Sequence, residues 1–244
     1  MVSNIFQSKE VISSYDFVDI LSGTGIQTFY GGEVMFMSGS VLVSGMILSD
    51  KPFYSEHITT KSSSNSATFA KRVDKNFDLN FNTTRTVNGD VVVSLPIGMN
   101  SLGGLIAAQI YCDMFIYHVG TDGTNTLLVS GMTLTFNPPS TANTDNPFSR
   151  IETLKMNVTN QVFKKDEKLR LKIVEYAHNT GANVQLFGIA HDPQNREDNN
   201  EGLAVVASTD GTIIENVNTG TPNYSFATDT IMTVDIPFKL DVEI

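Results

Sequence analysis

The chain has 244 residues, of which 41% are hydrophobic and 17% are charged, and its formal net charge is −10. This length suits one large all-β domain or two small domains. The excess of carboxylates argues against nucleic acid as the main partner, because binding to phosphates needs Lys and Arg. The chain has one cysteine, Cys112, so an internal disulfide is excluded.

The first predicted element is a short helix over residues 8–21. Ser8 can cap its N-terminus and Gly23 can end it. Three apolar residues fall on one helical face, namely Val11, Tyr15 and Val18. Residues 1–7 lack the basic and apolar segments of a signal peptide.

From residue 26 onward, apolar residues recur with a period of two, which is typical of strands with one buried face. The alternation is clearest over residues 232–244. Turn signals such as Asn88-Gly89 and Asp122-Gly123 separate the apolar segments. The predicted strands are 26–30, 34–37, 41–48, 54–60, 67–73, 77–81, 90–95, 105–119, 126–136, 151–162, 168–176, 183–190, 203–207, 212–217 and 232–244.

Many short strands with regular turns predict an all-β fold, an antiparallel β-sandwich with jelly-roll connectivity. We expect residues 1–25 to form an N-terminal arm with at most one short helix. Residues 26–244 should form a single β-sandwich domain, because no linker divides them.

The segment 105–119 is apolar on both faces of a strand. Gln109, Asp113 and His118 interrupt it, so it is too short and too polar to span a membrane. A strand buried on both faces is either central in the sandwich or covered by a neighbouring subunit. The pattern favours the central strand and leaves the second alternative open.

Motifs for catalysis or for metal binding are absent from the sequence. Ser44 and Ser130 each precede a glycine, but the Gly-x-Ser-x-Gly string of a nucleophile elbow does not occur. The four histidines lack metal-ligand spacing, and Cys112 has no cysteine nearby. We therefore expect no cofactor and no catalytic residue.

The loop 192–202 is rich in oxygen donors, which calcium prefers as ligands. The spacing of an EF-hand is missing, so a solvated turn or a loop that docks on a neighbour is the favoured interpretation. The loop 137–146 is the second long loop in which we expect contacts.

A basic stripe alternates with apolar residues over 168–173 and should face away from the core. An ordinary solvated sheet face explains it, and contact with an acidic surface of another copy is the alternative. The residues we single out for partner contact are Lys168, Arg170, Lys172, His191, Asp192, Asn195 and Arg196.

Several strings resemble those of a loosely defined group of tailed-phage virion proteins. They are DFVDILSGTGIQTFYG at 16–31, FDLNFN at 77–82, KLRLKI at 168–173, HDPQNR at 191–196 and IPFKL at 236–240. The strings touch most of the chain, but each is short and none is a catalytic signature. The resemblance implies a virion structural role, such as a head decoration protein or a tail-associated sandwich, and it implies no particular binding residue.

The resulting expectation is a non-enzymatic bacteriophage virion structural protein, capsid-associated or decorating the capsid, in a virion assembled in the host cytoplasm. Its partners should be other copies of itself, in a homo-oligomer, and other virion proteins, with no nucleic acid and no membrane. The alternative is a receptor- or glycan-binding module of a phage tail. A hydrolase with an unrecognised site is a third hypothesis, which would require a pocket with convergent carboxylates or a Ser–His contact.

Overall fold

The computed structural model describes residues 24–53, 55, 58–63, 68–101, 104–139, 142, 148–181, 185–194, 203–207, 213–218 and 230–239. These ranges form strands, turns and extended segments and include no helix. The strands are β1 Thr24–Ser38, β2 Val41–Ser49, β3 Ile58–Ser63, β4 Ala70–Asn80, β5 Arg85–Ser101, β6 Ala108–Val119, β7 Asn125–Met132, β8 Phe148–Phe163, β9 Lys168–Asn179, β10 Gln185–Ala190, β11 Leu203–Ala207, β12 Ile213–Asn218 and β13 Thr233–Lys239.

Eleven strands form one sheet in the order β3-β10-β5-β13-β1-β2-β4-β9-β6-β7, with β8 paired to β5. β11 and β12 form a separate two-stranded sheet. Neighbouring strands of the large sheet are antiparallel, except at the parallel junction between β2 and β4. The sheet folds over at this junction, so that β7 approaches β8 and β4 approaches β3 and β10.

The core lies between the two halves of this folded sheet. Every second residue of the central strands points into it, which is what period-two patterning dictates. The fully buried side chains include Leu95 and Ile97 of β5, Ile110 and Met114 of β6, Leu169 and Leu171 of β9, and Val234 and Ile236 of β13. The predicted all-β sandwich class is confirmed, and the jelly-roll connectivity stays a prediction.

Several predicted strands join into longer ones. The segments 26–30 and 34–37 are parts of β1, because Gly31 and Gly32 continue the strand instead of forming a turn. A Cβ at Gly31 would collide with the side chain of Met232, and one at Gly32 would collide with Phe53. These glycines are therefore required by close packing within the strand.

The predicted turn at Asn88-Gly89 lies inside β5 and is a β-bulge. The register between β5 and β8 shifts between Val87 and Gly89, and Gly89 has a φ of 130°. Only glycine adopts this φ readily. The Asn-Gly pair often forms a tight turn, but in this chain it bends a continuous strand.

The two-sided apolar segment is β6, which pairs with β9 on one side and β7 on the other. Its inward face is buried, whereas Tyr111, Phe115 and Tyr117 on the outward face are half-buried. β6 therefore lies between two other strands, as the pattern favoured, but its outward face is only half-buried and the alternative of cover by a neighbouring subunit stays open.

Part of the predicted N-terminal and C-terminal structure falls outside the described residues. The helix over 8–21 and the last residues of the strand over 232–244 belong to this part, so those predictions, and the division at residue 25, stay predictions. In the described part of the chain, no helix is long and apolar enough to cross a bilayer.

Glu175 of β9 is an ionisable side chain buried in the core. It faces Cys112 of β6 in register, and neither of its carboxyl oxygens has a hydrogen-bond partner among the described residues. Burial raises the pKa of Glu175 to about 8, although the nearby Arg72 guanidinium acts in the opposite direction. The carboxyl group is therefore protonated at neutral pH in the folded chain.

We expect the free energy of unfolding to fall as pH rises from 5 to 8. The folded pKa of Glu175 lies above its usual value of 4.5, so the folded state binds more protons than the unfolded state between these values. Because the unfolded chain loses the Glu175 proton near pH 4.5 and the folded chain keeps it up to about pH 8, the free energy of unfolding should fall by about 3–4 kcal/mol between pH 5 and 8. Glu175→Gln should remove this decline, as measured by urea unfolding at several pH values.

Asp90→Asn is the control for Glu175→Gln, because Asp90 is an exposed carboxylate whose pKa is lowered chiefly by a hydrogen bond from Asn157. This variant should keep the wild-type decline between pH 5 and 8. An unchanged decline in Glu175→Gln would contradict the assignment of the decline to Glu175.

Candidate functional site: a cleft at the junction between β2 and β4

A cleft opens where β2 and β4 diverge. The two strands pair only at Met46 with Phe77 and at Ile47 with Asp78. Beyond these pairs the ends of the two strands separate, and the aromatic side chains beneath them become the base of a cleft. The cleft thus exists because this junction is short.

The cleft has a volume of about 390 Å³, which is within the usual range for small-molecule sites. Its lining comes from strands that are far apart in the sequence. The lining residues are Gln27, Phe29, Ile47, Leu48, Ser49, Asp50, Asp78, Leu79, Asn80, Phe81, Asn82, Thr83, Arg85 and Phe238.

The base of the cleft is aromatic. The ring centroid of Phe238 lies 6.2 Å from that of Phe29 and 6.2 Å from that of Phe81, in edge-to-face arrangements. Phe81 also stacks on Phe163 at 4.7 Å, which anchors it in the core. The guanidinium of Arg85 lies 5.6 Å above the Phe238 ring. This base is rigid, because each ring is held by another.

The rim of the cleft is polar. Gln27, Asn80 and Asn82 carry amide groups, each of which can donate and accept hydrogen bonds. Asp50 is exposed beside them. These side chains come from β1, the end of β4 and the turns that follow β2 and β4.

Asp78, at the rim, is paired with two cationic side chains of β9. Arg170 Nε and Nη2 donate to its two carboxylate oxygens at 2.6 and 2.7 Å, and Lys168 Nζ lies 3.6 Å away. The hydrogen bond from Arg170 to Asp78 raises the pKa of Arg170. Asp78 is therefore neutralised within the chain, and its side chain is fixed against β9.

The turn between β8 and β9 supports the cleft from behind. The amide of Asp166 donates to the carbonyl of Phe81 at 2.7 Å, and the amide of Phe81 donates to the carbonyl of Glu167 at 3.0 Å. Glu167 Oε2 also accepts from the amide of Lys164 at 2.7 Å and lies 2.8 Å from His118 Nε2. These bonds fix the position of Phe81.

The basic stripe lies on the outward face of β9, as predicted. Asp74 and Asp78 of the adjacent β4 lie beside it, and the Nζ atom of Lys172 is 3.2 Å from Asp74 Oδ1. The acidic partners of Lys168, Arg170 and Lys172 thus belong to the same chain. Contact of this stripe with another copy stays a prediction.

Two further predicted contact residues, His191 and Asp192, do not line the cleft. His191 and Asp192 are fully buried, and the His191 ring packs edge-on to Phe77 at 5.9 Å. This burial does not favour partner contact through the side chains of His191 and Asp192. Asn195 and Arg196 lie outside the described residues, as does most of the loop 192–202.

None of the cleft-lining residues was predicted from the sequence to form a site. One signal was present, since 77–82 alternates apolar Phe77, Leu79 and Phe81 with three Asx residues. This alternation predicts a strand, and residues 78–82 of the segment form one wall of the cleft. The opposite wall is formed by residues of β1 and β2, and no local sequence pattern there indicates a binding site.

The described lining offers apolar contact and hydrogen bonding. It contains carboxylates, amides, hydroxyl groups and one guanidinium, with no histidine or cysteine among these residues. Among all described residues, no group of three or more His, Cys, Asp or Glu side chains could hold a metal ion.

No protein-family model and no curated protein sequence matches this chain. Solved structures with some likeness include a CocE/NonD family hydrolase from Staphylococcus aureus, at 8% identity and a TM-score of 0.42. An aminopeptidase from Thaumarchaeota archaeon shows 7% identity and a TM-score of 0.42. Both likenesses cover 86% of this chain and 37% of the other, so the chain spans little more than a third of their length.

Virus structures also occur among these likenesses. The infectious bursal disease virus Gt strain structure shows 10% identity and a TM-score of 0.29, over 99% of this chain and 42% of that one. A likeness at this level assigns neither an activity nor a site to this chain.

These comparisons overturn the expected function. The expectations of a non-enzymatic protein and of a bacteriophage virion or tail component are contradicted by the hydrolases and the aminopeptidase among these structures, whose level of likeness nevertheless assigns no activity to this chain. Virus particle proteins are among the structures found, but they come from infectious bursal disease virus and not from a phage. Three of the short strings behind the phage resemblance, at 77–82, 168–173 and 236–240, follow strand patterning, which unrelated β-proteins share.

We expect a double-mutant cycle on Asp78 and Arg170 to give a coupling free energy of about 1–2 kcal/mol, because the pair is bidentate and mostly shielded from water. The variants are Asp78→Asn, Arg170→Gln and their combination, compared by urea unfolding. The pair Asp90–Lys155, at 3.0 Å and exposed, is the matched control and should show a smaller coupling. Equal couplings in the two cycles would contradict the structural role given to Asp78.

Proposed function

We propose that this chain is a ligand-binding β-sandwich module whose cleft between β2 and β4 takes a small uncharged ring compound with hydroxyl or amide groups. The observation that carries the proposal is the aromatic base beneath a rim of amide side chains. An apolar ring face can lie over the parts of Phe29, Phe81 and Phe238 that face the cleft, although each of these side chains is only 5% exposed. The polar edge of the ligand can then reach the rim.

The charges of the lining favour an uncharged ligand. Asp78 is neutralised by Arg170, and the two other charged residues, Asp50 and Arg85, have opposite signs. Gln27, Asn80 and Asn82 each present both a donor and an acceptor, which suits hydroxyl and amide groups. Besides the Asp78–Arg170 pair, the lining carries one carboxylate, Asp50, and one guanidinium, Arg85, so no excess of either charge favours a strongly charged ligand.

Saturation-transfer NMR with benzyl alcohol, benzamide and myo-inositol tests this proposal. At least one probe should bind the wild type with a Kd of about 1 mM, which is the affinity expected of so small a ligand. Thr83→Trp places a bulky ring at the rim and should abolish the signal. Which of the three probes binds shows whether the aromatic ring or the hydroxyl groups of the ligand contribute more to binding.

Thr84→Trp is the matched control, because Thr84 is the next exposed residue and does not line the cleft. It should leave binding unchanged. The wild-type chain has no tryptophan, so fluorescence during unfolding checks that both variants are folded. Absence of binding by all three probes, or equal binding by folded Thr83→Trp, would refute the proposal.

A further inference from the structure

The β1–β2 hairpin extends beyond the strands that flank it. β13 pairs with β1 only from Thr24 to Tyr30, and β4 pairs with β2 only at Met46 and Ile47. The distal half of the hairpin, residues 34–43, is called the distal arm below. It belongs to no wall of the cleft.

One edge of β1 is occupied as far as Glu33. The amide of Gly31 donates to the carbonyl of Met232 at 3.1 Å, and the amide of Glu33 donates to Ser55 Oγ at 2.5 Å. From Val34 to Ser38, β2 is the single strand that pairs with β1 in the described part of the chain. The opposite edge there presents backbone N–H and C=O groups to a further strand.

The distal arm is apolar on both faces. Met35, Phe36 and Met37 follow one another and are 59%, 50% and 62% exposed. The Phe36 ring covers Gly45 of β2, where a Cβ would lie 2.9 Å from Phe36 Cε1. Because side chains alternate along a strand, the two methionines project from the other face. A contiguous apolar surface of this kind marks an interaction site.

Charge favours another copy of this chain as the occupant. Residues 34–49 contain no charged residue and no proline, in a chain whose net charge is −10. Two such acidic chains repel each other, and an uncharged segment is where they can approach with least repulsion. The Lys and Pro residues that usually protect an edge strand are missing. An antiparallel edge is also complementary to itself about a two-fold axis.

We propose that the distal arm is the surface at which a second copy of this chain binds, through antiparallel pairing of β1 with the second copy's β1 about a two-fold axis near Phe36. The pairing produces a four-stranded ribbon in the order β2-β1-β1-β2. Met35 and Met37 of the two copies then meet on one face of the ribbon, and Phe36 lies on the other.

Sedimentation velocity across a range of protein concentrations tests the proposal. The wild type should reach a dimer as its end state. The double variant Met35→Lys with Met37→Lys places like charges across the pairing and should raise the dimer Kd at least about tenfold. Leu134→Lys is the control, because Leu134 is 80% exposed and lies outside the arm. It should leave the dimer intact.

A cross-linking variant locates the axis. Phe36→Cys should form an interchain disulfide on mild oxidation, because a residue at a two-fold axis lies beside its own copy. Leu134→Cys should not cross-link, and Cys112 is buried and does not interfere. A monomeric wild type, aggregates that grow without an end state, or a dimer unaffected by the two lysines would each overturn the proposal.

Discussion

The short parallel junction between β2 and β4 is the constraint on which the arrangement of the molecule depends. It joins the two halves of one sheet through Met46 and Ile47 on β2 and Phe77 and Asp78 on β4. Only two residue pairs hold the halves together there, and the core lies between the halves where β7 approaches β8 and β4 approaches β3 and β10. The junction is only two residue pairs long, so the ends of both strands lie apart and a cleft opens above three largely buried phenylalanine rings. Asp78 lies at the junction itself, and its ion pair with Arg170 ties the corner to β9.

The sequence predicted the strands well where one face is buried and the other is exposed to solvent. β9 and β13 alternate as expected, because burial acts on every second side chain. Strand prediction from the sequence failed where a glycine is required by packing or by a bulge and not by a turn, as at Gly31 in β1 and at the bulge of β5. A glycine required by a distant Met232 looks the same in the sequence as a glycine of a turn.

The candidate site could not be derived from local patterns. Phe29, Phe81 and Phe238 are separated by most of the chain and meet only through the pairing of β1 with β13 and through the turn after β4. Each of them reads locally as an ordinary core residue. The basic stripe illustrates the opposite problem. Its orientation was predictable, but its acidic partners on β4 required knowledge of which strand lies beside β9.

The β1–β2 hairpin contributes to both the proposed ligand cleft and the proposed dimer contact. Its proximal end supplies Phe29 and Leu48 to the cleft, and its distal arm projects from the sheet. Seven residues separate Phe29 from Phe36, which is about 23 Å along an extended strand. Pairing of two arms would therefore leave both clefts open to solvent. It would also hold the hairpin of each copy at both ends, so that binding in the cleft and association at the arm would stabilise the same element.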